Sequence, residues 1–193
     1  DPAWASTWGG MVNLLIKDAA NWDRADTMFP FLRYYEPYSG HSRASGHGYF
    51  GSGNNEESSS EGMNFASAVI LWGTLTQNTS VRDLGIFLHA STTQAIQQYW
   101  FDVDDAVFPS GFGYDTVGMV WDNGAAYATW WTANPEEIHG INFVPFTGGS
   151  LYLGLRPEYV TKNYNFLVTK NGGPETEWRD LIWEFQAFAD PAA

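Results

Sequence analysis

The sequence has 193 residues, of which 44% are hydrophobic and 17% aromatic, so it can bury a core and is not a disordered chain. Its formal net charge of −13 argues against nucleic acids and anionic membranes as partners, but it does not disfavour a neutral ligand. The absence of cysteine excludes disulfide frameworks, thiol redox chemistry and zinc–thiolate sites.

The first half of the chain is predicted to hold three helices and one long loop. Apolar residues at spacings of three and four predict a helix over residues 8–22. Residues 23–56 contain repeated proline and glycine without a sustained period, which predicts a long structured loop. Apolar patterns over 58–76 and 81–99, separated by a short break, predict two packed antiparallel helices.

The second half changes character at the start and becomes helical towards the end. Short aromatic and β-branched runs first predict an irregular hairpin, and clear helical patterns return from residue 156 onwards. The predicted elements are strands at 117–121 and 127–131 around a turn at 122–124, a helical turn within 135–146, and helices at 156–170 and 178–188.

Helix hairpins joined by long, aromatic, glycine-rich loops are typical of an α/α toroid. In that architecture the helices form the scaffold and the loops at one end line a groove. No internal repeat or linker is visible, so we expect a single domain over residues 1–193.

A polar block at residues 54–64 holds three glutamates and three serines and runs directly into an apolar helix. Ser58 and Glu61 fit a capping box. Glu57 and Glu61 are four apart, so they lie on one side of the first turn if the helix begins there. Acidic residues at a helix start are ordinary, but capping needs only one Ser and one Glu. The surplus indicates a site with two carboxylates, in which Glu56 is an extra.

Two carboxyl groups that flank one bond are what glycoside hydrolysis requires, and inverting enzymes keep them roughly 6.5–9.5 Å apart. Glu57 and Glu61 do not span a groove from one helix turn. We therefore interpret them as a base and its partner: one activates water, and the other orients that water or raises its neighbour's pKa by charge repulsion. The many aromatic side chains suit a ligand of uncharged sugar rings, unless they simply fill the core.

The histidines give weaker indications. His89 falls within a helical pattern and is interpreted as structural. His41 and His139 lie in glycine-flanked loops, where binding a hydroxyl-rich ligand and bracing the loop stay equally open. The spacing of His41 and His47 matches no familiar ligand set, so we expect no metal, and no nucleotide or cofactor motif is present.

Four segments occur in a specific order. They are Phe29-Pro30-Phe31-Leu32-Arg33; Gly40-His41-Ser42-x-Ala44-Ser45-Gly46; Asn55-x-Glu57-Ser58-Ser59-Ser60-Glu61-x-x-Asn64 with Leu71-Trp72-Gly73; and Ile138-His139-Gly140-Ile141-Asn142. In this order they resemble glycoside hydrolase family 81, the endo-β-1,3-glucanases. The resemblance implies a mainly α fold of the (α/α)6 toroid type and an inverting mechanism. It places the family's motif glutamates on Glu57 and Glu61, and its site histidine on His41.

The sequence departs from the family pattern in two respects. Glu36-Pro37 stands where the family usually has Asp before Trp, and Arg43 replaces a Trp. The family's general-acid Asp lies in an upstream motif that these residues lack. We therefore expect the C-terminal part of the catalytic domain, a partial toroid whose general acid lies upstream. If the chain acts alone, the candidate acids are Asp104, Asp105, Asp115 and Asp122.

The expected catalytic residues are Glu57 and Glu61, at the mouth of one cleft that also holds His41. We expect substrate binding by Arg33, Glu36, Tyr38, His41, Ser42, Trp121, Tyr127, Trp130, His139 and Asn142. The expected partners are β-1,3-glucan and, for the open edge of the toroid, the rest of the same domain or a second copy. We expect a secreted, extracellular or cell-wall-associated protein.

Two alternatives stay open. The first is a non-catalytic β-1,3-glucan-binding module that has lost its acid. The second is a toroid lyase that uses Tyr38 and His41, although acidic substrates favour a basic groove and this chain has only nine Lys and Arg.

Overall fold

The computed structural model describes residues 1–44 and 50–192, and these residues are mainly helical, as predicted. Their elements are α1 (Pro2–Ala20), β1 (Tyr35–Glu36), β2 (His41–Ser42), α2 (Ser59–Leu75), α3 (Thr79–Ala95), β3 (Met119–Trp121), β4 (Gly124–Ala126), α4 (Pro135–Gly140), α5 (Pro157–Asn171) and α6 (Arg179–Gln186). A π-helical turn at Ile96–Trp100 and a 3₁₀ turn at Ser150–Gly154 complete the set. The partial toroid of the (α/α)6 type and the single-domain boundary stay predictions.

Helix α1 begins six residues earlier than predicted. Asp1 caps it by accepting hydrogen bonds from the amides of Ala3 and Trp4 at 2.9 and 3.3 Å, and Pro2 occupies the first helical position. The first turns bury little: Gly9 is the earliest buried residue of the helix. A prediction based on a buried face therefore places the start of α1 too far along the chain.

Helices α2 and α3 pack tightly, which confirms the predicted pair. A Cβ atom added at Gly73 would lie 2.2 Å from the Arg82 amide, and one at Gly85 would lie 2.6 Å from the Ile70 amide. Asn78 caps α3 by accepting from the Val81 amide. The predicted end at residue 99 falls in the π-helical turn, four residues past the end of α3.

Two apolar clusters hold the described residues together. The first packs α1 against α2 and α3, and the second joins the π-helical turn, α5 and α6. Phe143 and Phe185 stack at 3.9 Å in the second cluster, which also contains Phe101. Part of the aromatic surplus therefore fills the core. The principal residues are Ile16, Val69, Val81 and Leu88 in the first cluster, and Ile96, Trp100, Phe143, Val160, Leu167 and Phe185 in the second.

Two small antiparallel hairpins shape the loops. In the first, which lies inside the predicted loop, Tyr35 pairs with Ser42 and Glu36 with His41. In the second, Met119 pairs with Ala126 and Trp121 with Gly124. Its second strand therefore lies at residues 124–126, ahead of the predicted 127–131, because the turn needs only two residues.

The C-terminal helices follow the prediction closely. Helix α5 starts at Pro157 and ends at Asn171, and the capping residue Gly172 adopts a left-handed φ of 71°. Buried Glu136 of α4 accepts from the Thr176 amide and from Asn171 Nδ2, both at 2.6 Å. This carboxylate fixes the connection between α5 and α6. No helix in the described part of the chain is long and apolar enough to span a bilayer.

Candidate active site

The three consecutive serines dock the start of α2 onto the segment that follows α4. Ser58 and Ser60 Oγ donate to the Ile141 carbonyl at 3.3 and 3.2 Å, and Ser59 Oγ donates to Asn142 Oδ1 at 3.0 Å. The predicted capping box is wrong, because the Ser58 side chain makes no cap hydrogen bond and is engaged by Ile141. These contacts fix the glutamates on either side of the serines.

Glu56, Glu57 and Glu61 line one cavity of about 570 Å³ at three depths. Glu56 is buried, Glu57 is half-buried and Glu61 is exposed. Aromatic side chains provide much of the remaining wall, and Arg43 adds a positive side chain to the part that the structure describes. The lining includes Tyr34, Tyr35, Ser42, Arg43, Phe50, Gly62, Phe65 and Trp130.

Glu57 is held by the loop that follows the second hairpin. The Trp130 amide donates to Glu57 Oε2 at 2.8 Å, and the Trp130 ring is 64% exposed beside it. Glu57 precedes the N-cap of α2, so it does not share a helical turn with Glu61, contrary to the conditional prediction. The two carboxyl groups nevertheless line the same cavity.

Glu56 is the deepest of the three. Its backbone pairs with Val120 through two hydrogen bonds of 2.9 and 3.1 Å, and Ser42 Oγ donates to its Oε2 at 3.1 Å. The side chain is only 8% exposed. Burial raises the pKa of Glu56 to about 7, with a smaller contribution from the charge of Glu61 and an opposing one from the Ser42 hydrogen bond.

His41 does not line the cavity that holds the glutamates. Successive strand residues point to opposite faces, so Ser42 lines that cavity while His41 lines a second one of about 370 Å³ with Tyr38 and Trp121. The prediction of one cleft is therefore wrong for His41. Arg43, on the wall of the first cavity, pairs with Asp122, on the wall of the second.

His41 is itself largely buried. Its ring packs edge-on against Trp100 at 5.0 Å, and its Nδ1 lies 2.7 Å from the Ser42 carbonyl, which accepts from it. Burial lowers the pKa of His41. This side chain braces the first hairpin.

His139 and Asn142 are structural, which corrects their prediction as substrate-binding residues. Both are 0% exposed. His139 Nδ1 lies 2.8 Å from Asn163 Oδ1 and its Nε2 lies 3.1 Å from the Tyr127 hydroxyl. Asn142 donates to the Val117 carbonyl at 2.9 Å while it accepts from Ser59. Neither side chain has an atom that a ligand can reach.

Tyr127 belongs to this bracing network. Its ring stacks on Tyr114 at 4.3 Å, and it does not line the cavity of the glutamates. Burial raises the pKa of Tyr127 above its ordinary value. Burial also lowers the pKa of His139 to about 4, so that histidine is neutral at physiological pH.

Arg33 and Glu36 lie beside the site. Arg33 pairs with Asp18 at 2.5 Å and packs on Tyr34, while Glu36 Oε1 accepts from the Tyr38 amide at 2.9 Å. Neither lines the glutamate cavity, and their binding roles stay predictions. Ser45 and Gly46 of the second segment, and His47, lie outside the described residues.

The candidate acids of the second half lie elsewhere. Asp104 pairs with Arg156 at 3.0 Å, Asp105 pairs with Lys162 at 2.5 Å, and Asp115 lines the same separate cavity as Lys162. None of these three lines the cavity of Glu57 and Glu61. Over residues 1–44 and 50–192, no three acidic or histidine side chains are grouped to hold a metal ion.

A family model described as the glycosyl hydrolase family 81 C-terminal domain matches residues 1–193. The chain belongs to glycoside hydrolase family 81. It is 48% identical over its full length to a glucan endo-1,3-beta-D-glucosidase of Acetivibrio thermocellus and 47% identical to one of Thermobifida fusca. It covers 25% and 26% of these relatives, so this family 81 chain spans about a quarter of their length.

A solved family 81 structure from Clostridium thermocellum, a variant with one glutamate changed to alanine, superposes on the whole chain. The TM-score is 0.95 at 48% identity, and the match covers 27% of that protein. The fold described above is therefore that of the corresponding part of the solved family member.

From the sequence alone, Glu56 is an extra glutamate to which no role is assigned. Its position next to Glu57 carries no indication of burial, because burial arises from Ser42 and Val120, which are distant in sequence. The Trp130 amide could not be found either, since a backbone donor leaves no trace in residue type.

Proposed function

We propose that this chain forms the water-activating side of an endo-acting, inverting β-1,3-glucan hydrolase, with Glu57 as the general base and Glu61 as its partner. The single observation that supports this best is the hydrogen bond from the Trp130 amide to Glu57 in a cavity with aromatic walls. A fixed N–H donor sets the direction of the carboxylate, which a base that removes a proton from water requires.

The remaining parts of the reaction are assigned as follows. Glu61, exposed at the mouth of the same cavity, orients the attacking water. The general acid protonates the leaving oxygen from across the groove and belongs to a part of the polypeptide outside these residues. This division suits the required separation of roughly 6.5–9.5 Å, since two neighbouring glutamates occupy only one side of the sugar ring.

The walls of the cavity suit a neutral polysaccharide. Tyr34, Tyr35, Phe65 and Trp130 offer ring faces on which sugar rings stack, and the carboxylates repel anionic substrates. The names of the relatives, glucan endo-1,3-beta-D-glucosidases, support β-1,3-glucan as the polymer. The chain would then be part of an (α/α)6 toroid in a secreted or cell-wall-associated protein.

The test is hydrolysis of laminarin by the natural full-length protein and by its Glu57→Gln and Glu61→Gln variants. We expect Glu57→Gln to lower kcat by at least the roughly 10²–10⁴-fold that general base catalysis contributes, with KM little changed. Proton NMR should show that the new reducing ends are first released as the α-anomer. Glu184→Gln on α6 removes an exposed glutamate outside the cavity and should leave both constants unchanged.

Two results would contradict the proposal. Wild-type turnover by Glu57→Gln would remove Glu57 from the base role, and initial release of the β-anomer would exclude inversion. A second function, a non-catalytic glucan-binding module, is favoured because the carboxyl groups in the described lining of the cavity all lie within residues 56–61, so none of them comes from an opposite wall. It predicts that the full-length protein binds laminari-oligosaccharides in calorimetry without cleaving them.

A further inference from the structure

The cavity holds one carboxyl group that the proposed reaction does not use. Glu56 lies beneath Glu57 and Glu61, and its backbone is fixed by the paired hydrogen bonds to Val120. The hydrogen-bond partner of its carboxyl group is the Ser42 hydroxyl, which also lines the cavity. A Cβ atom at Gly62 would lie 3.0 Å from Ser42 Oγ and 3.8 Å from Glu56 Oε1, so α2 closes over the pair.

We propose that Glu56 is a positioning residue that acts through Ser42: the proton on its carboxyl group decides whether the Ser42 hydroxyl donates into the wall or into the substrate cavity. The inference rests on the proposed function of the cavity. It assigns to Glu56 no contact with the reacting atoms.

The two states follow from the donors and acceptors that each group offers. An ionised carboxylate only accepts, so Ser42 must donate its proton to Glu56 and presents lone pairs to the cavity. A neutral carboxyl group donates its own proton to Ser42 Oγ, and the Ser42 O–H then points to the cavity as a donor. When the carboxyl group loses its proton to solvent, the direction of this hydrogen bond reverses, and Ser42 turns its own O–H from the cavity towards Glu56.

The surroundings favour the neutral state over the acidic half of the pH range. Burial raises the pKa of Glu56 to about 7, so its proton is lost near neutrality. The charged groups around it are Glu61 on α2, whose charge adds to this effect, the neighbouring Glu57, and Arg43 on the cavity wall. Arg43 forms an ion pair with Asp122. His41, which precedes Ser42, lines the second cavity.

The consequence is a pH-dependent hydrogen-bond donor for a sugar hydroxyl. Below pH 7 the Ser42 O–H is available to the substrate, and above it the same O–H is turned to Glu56. Losing one neutral hydrogen bond typically changes binding by about three- to tenfold. The effect belongs in KM, because Glu57 and Glu61 keep their proposed roles in both states.

The experiment measures kcat and KM for laminari-oligosaccharides from pH 5 to pH 9 in the natural full-length protein. For the wild type, KM should rise about three- to tenfold between pH 6 and pH 8 while kcat changes less. Glu56→Gln should abolish this rise, since a glutamine amide stays neutral and keeps donating to Ser42. Ser42→Ala should have the raised KM at every pH, and Glu184→Gln should behave as the wild type.

An infrared titration supplies a readout apart from activity. The difference spectrum between wild type and Glu56→Gln should contain a protonated carboxyl band that disappears between pH 6 and pH 8. Absence of that band at pH 5.5, or a wild-type rise in KM in the Glu56→Gln variant, would overturn the inference while the proposed function stands. A wild-type protein that cleaves no laminarin at any pH would overturn both the inference and the proposed function. If Glu56→Gln fails to fold, Ser42→Ala supplies the test, since a wild-type rise in KM in that variant overturns the inference.

Discussion

The amide of Trp130 donates to Glu57 Oε2 at 2.8 Å, and this one hydrogen bond joins two segments 73 positions apart. It makes the loop after the second hairpin part of the candidate active site through its backbone as well as through its aromatic ring. The direction of the Glu57 carboxylate therefore depends on a loop that exposes the side chains of Trp130 and Trp131.

We predict that Trp130→Pro lowers kcat for laminarin by roughly 10–100-fold. Proline has no N–H, and a hydrogen bond to a charged group is worth roughly 1.5–3 kcal/mol. The carboxylate of Glu57 would then be free to rotate away from the attacking water. Steady-state kinetics of the full-length protein measures the change.

Trp130→Ala is the matched control because it removes the exposed ring and keeps the amide. This variant should raise KM through lost stacking, with kcat within about threefold of the wild type, as expected for a single surface contact. Equal losses of kcat in the two variants would show that the ring matters and the amide does not. Thermal unfolding of both variants checks that the loop has not collapsed.

We predict that Gly62→Ala impairs activity without destabilising the fold. The added Cβ lies 3.0 Å from Ser42 Oγ, so Ser42 must shift away from Glu56 by a few tenths of an ångström. A helical Gly→Ala change otherwise stabilises by roughly 0.5–1 kcal/mol. We expect a several-fold loss of kcat/KM with an unchanged or higher melting temperature.

Gly10→Ala in α1 is the control, because nothing lies within 4 Å of a Cβ at that position. It should gain the helical stabilisation and keep full activity. If Gly62→Ala is as active as Gly10→Ala, the Ser42–Glu56 pair has no influence on the cavity.

Much of the helical framework was predictable because burial repeats along it. Helices α2, α3 and α5 follow patterns of buried residues that the sequence displays directly, and their ends follow from Asn78, Pro157 and Gly172. The start of α1 was not predictable from burial, since its first turns bury almost nothing among the described residues.

The site was predictable only where residue type carries the chemistry. Glu57 and Glu61 could be named from the motif. A glycine-flanked loop, however, does not indicate that Ser42 lines one cavity and His41 another, nor that His139 is buried. Those features depend on which side of a short strand faces which helix. Long-range contacts such as that of Glu56 with Val120 decide this.

We predict that Glu56 makes the fold less stable as pH rises. Its pKa is about 7 in the folded chain and 4.5 ordinarily, so above pH 4.5 the unfolded chain releases a proton that the folded chain retains. The free energy of unfolding should fall between pH 4.5 and pH 7, by on the order of 3 kcal/mol in total. Denaturant unfolding of Glu56→Gln should show a gain over wild type at pH 8 and little difference at pH 4.

We predict the opposite dependence for His139. Its pKa is lowered to about 4 from an ordinary value of 6.5, so between these values the unfolded chain binds a proton that the folded chain does not. Stability should fall as pH drops from 6.5 to 4, by on the order of 3 kcal/mol. His139→Gln should be less stable at pH 7, because the hydrogen bonds to Asn163 and Tyr127 are altered. Its free energy of unfolding should nevertheless fall less steeply than that of the wild type as pH drops from 6.5 to 4. A wild-type slope in that variant would assign the acid sensitivity to another group.

We predict that residues 1–193, prepared alone, self-associate through α1. Trp4, Trp8, Met11 and Leu15 stand at spacings of four, three and four, so they form one continuous apolar stripe, and each is about half exposed. Sedimentation velocity over micromolar concentrations should show concentration-dependent association of the wild type, and the double variant Trp8→Arg, Leu15→Glu should sediment as a monomer. Leu155→Glu places a charge at an exposed leucine outside α1 and should associate as the wild type does. A wild-type chain that stays a monomer at every concentration would show that the exposed stripe on α1 does not drive association, and it would contradict the expected open edge.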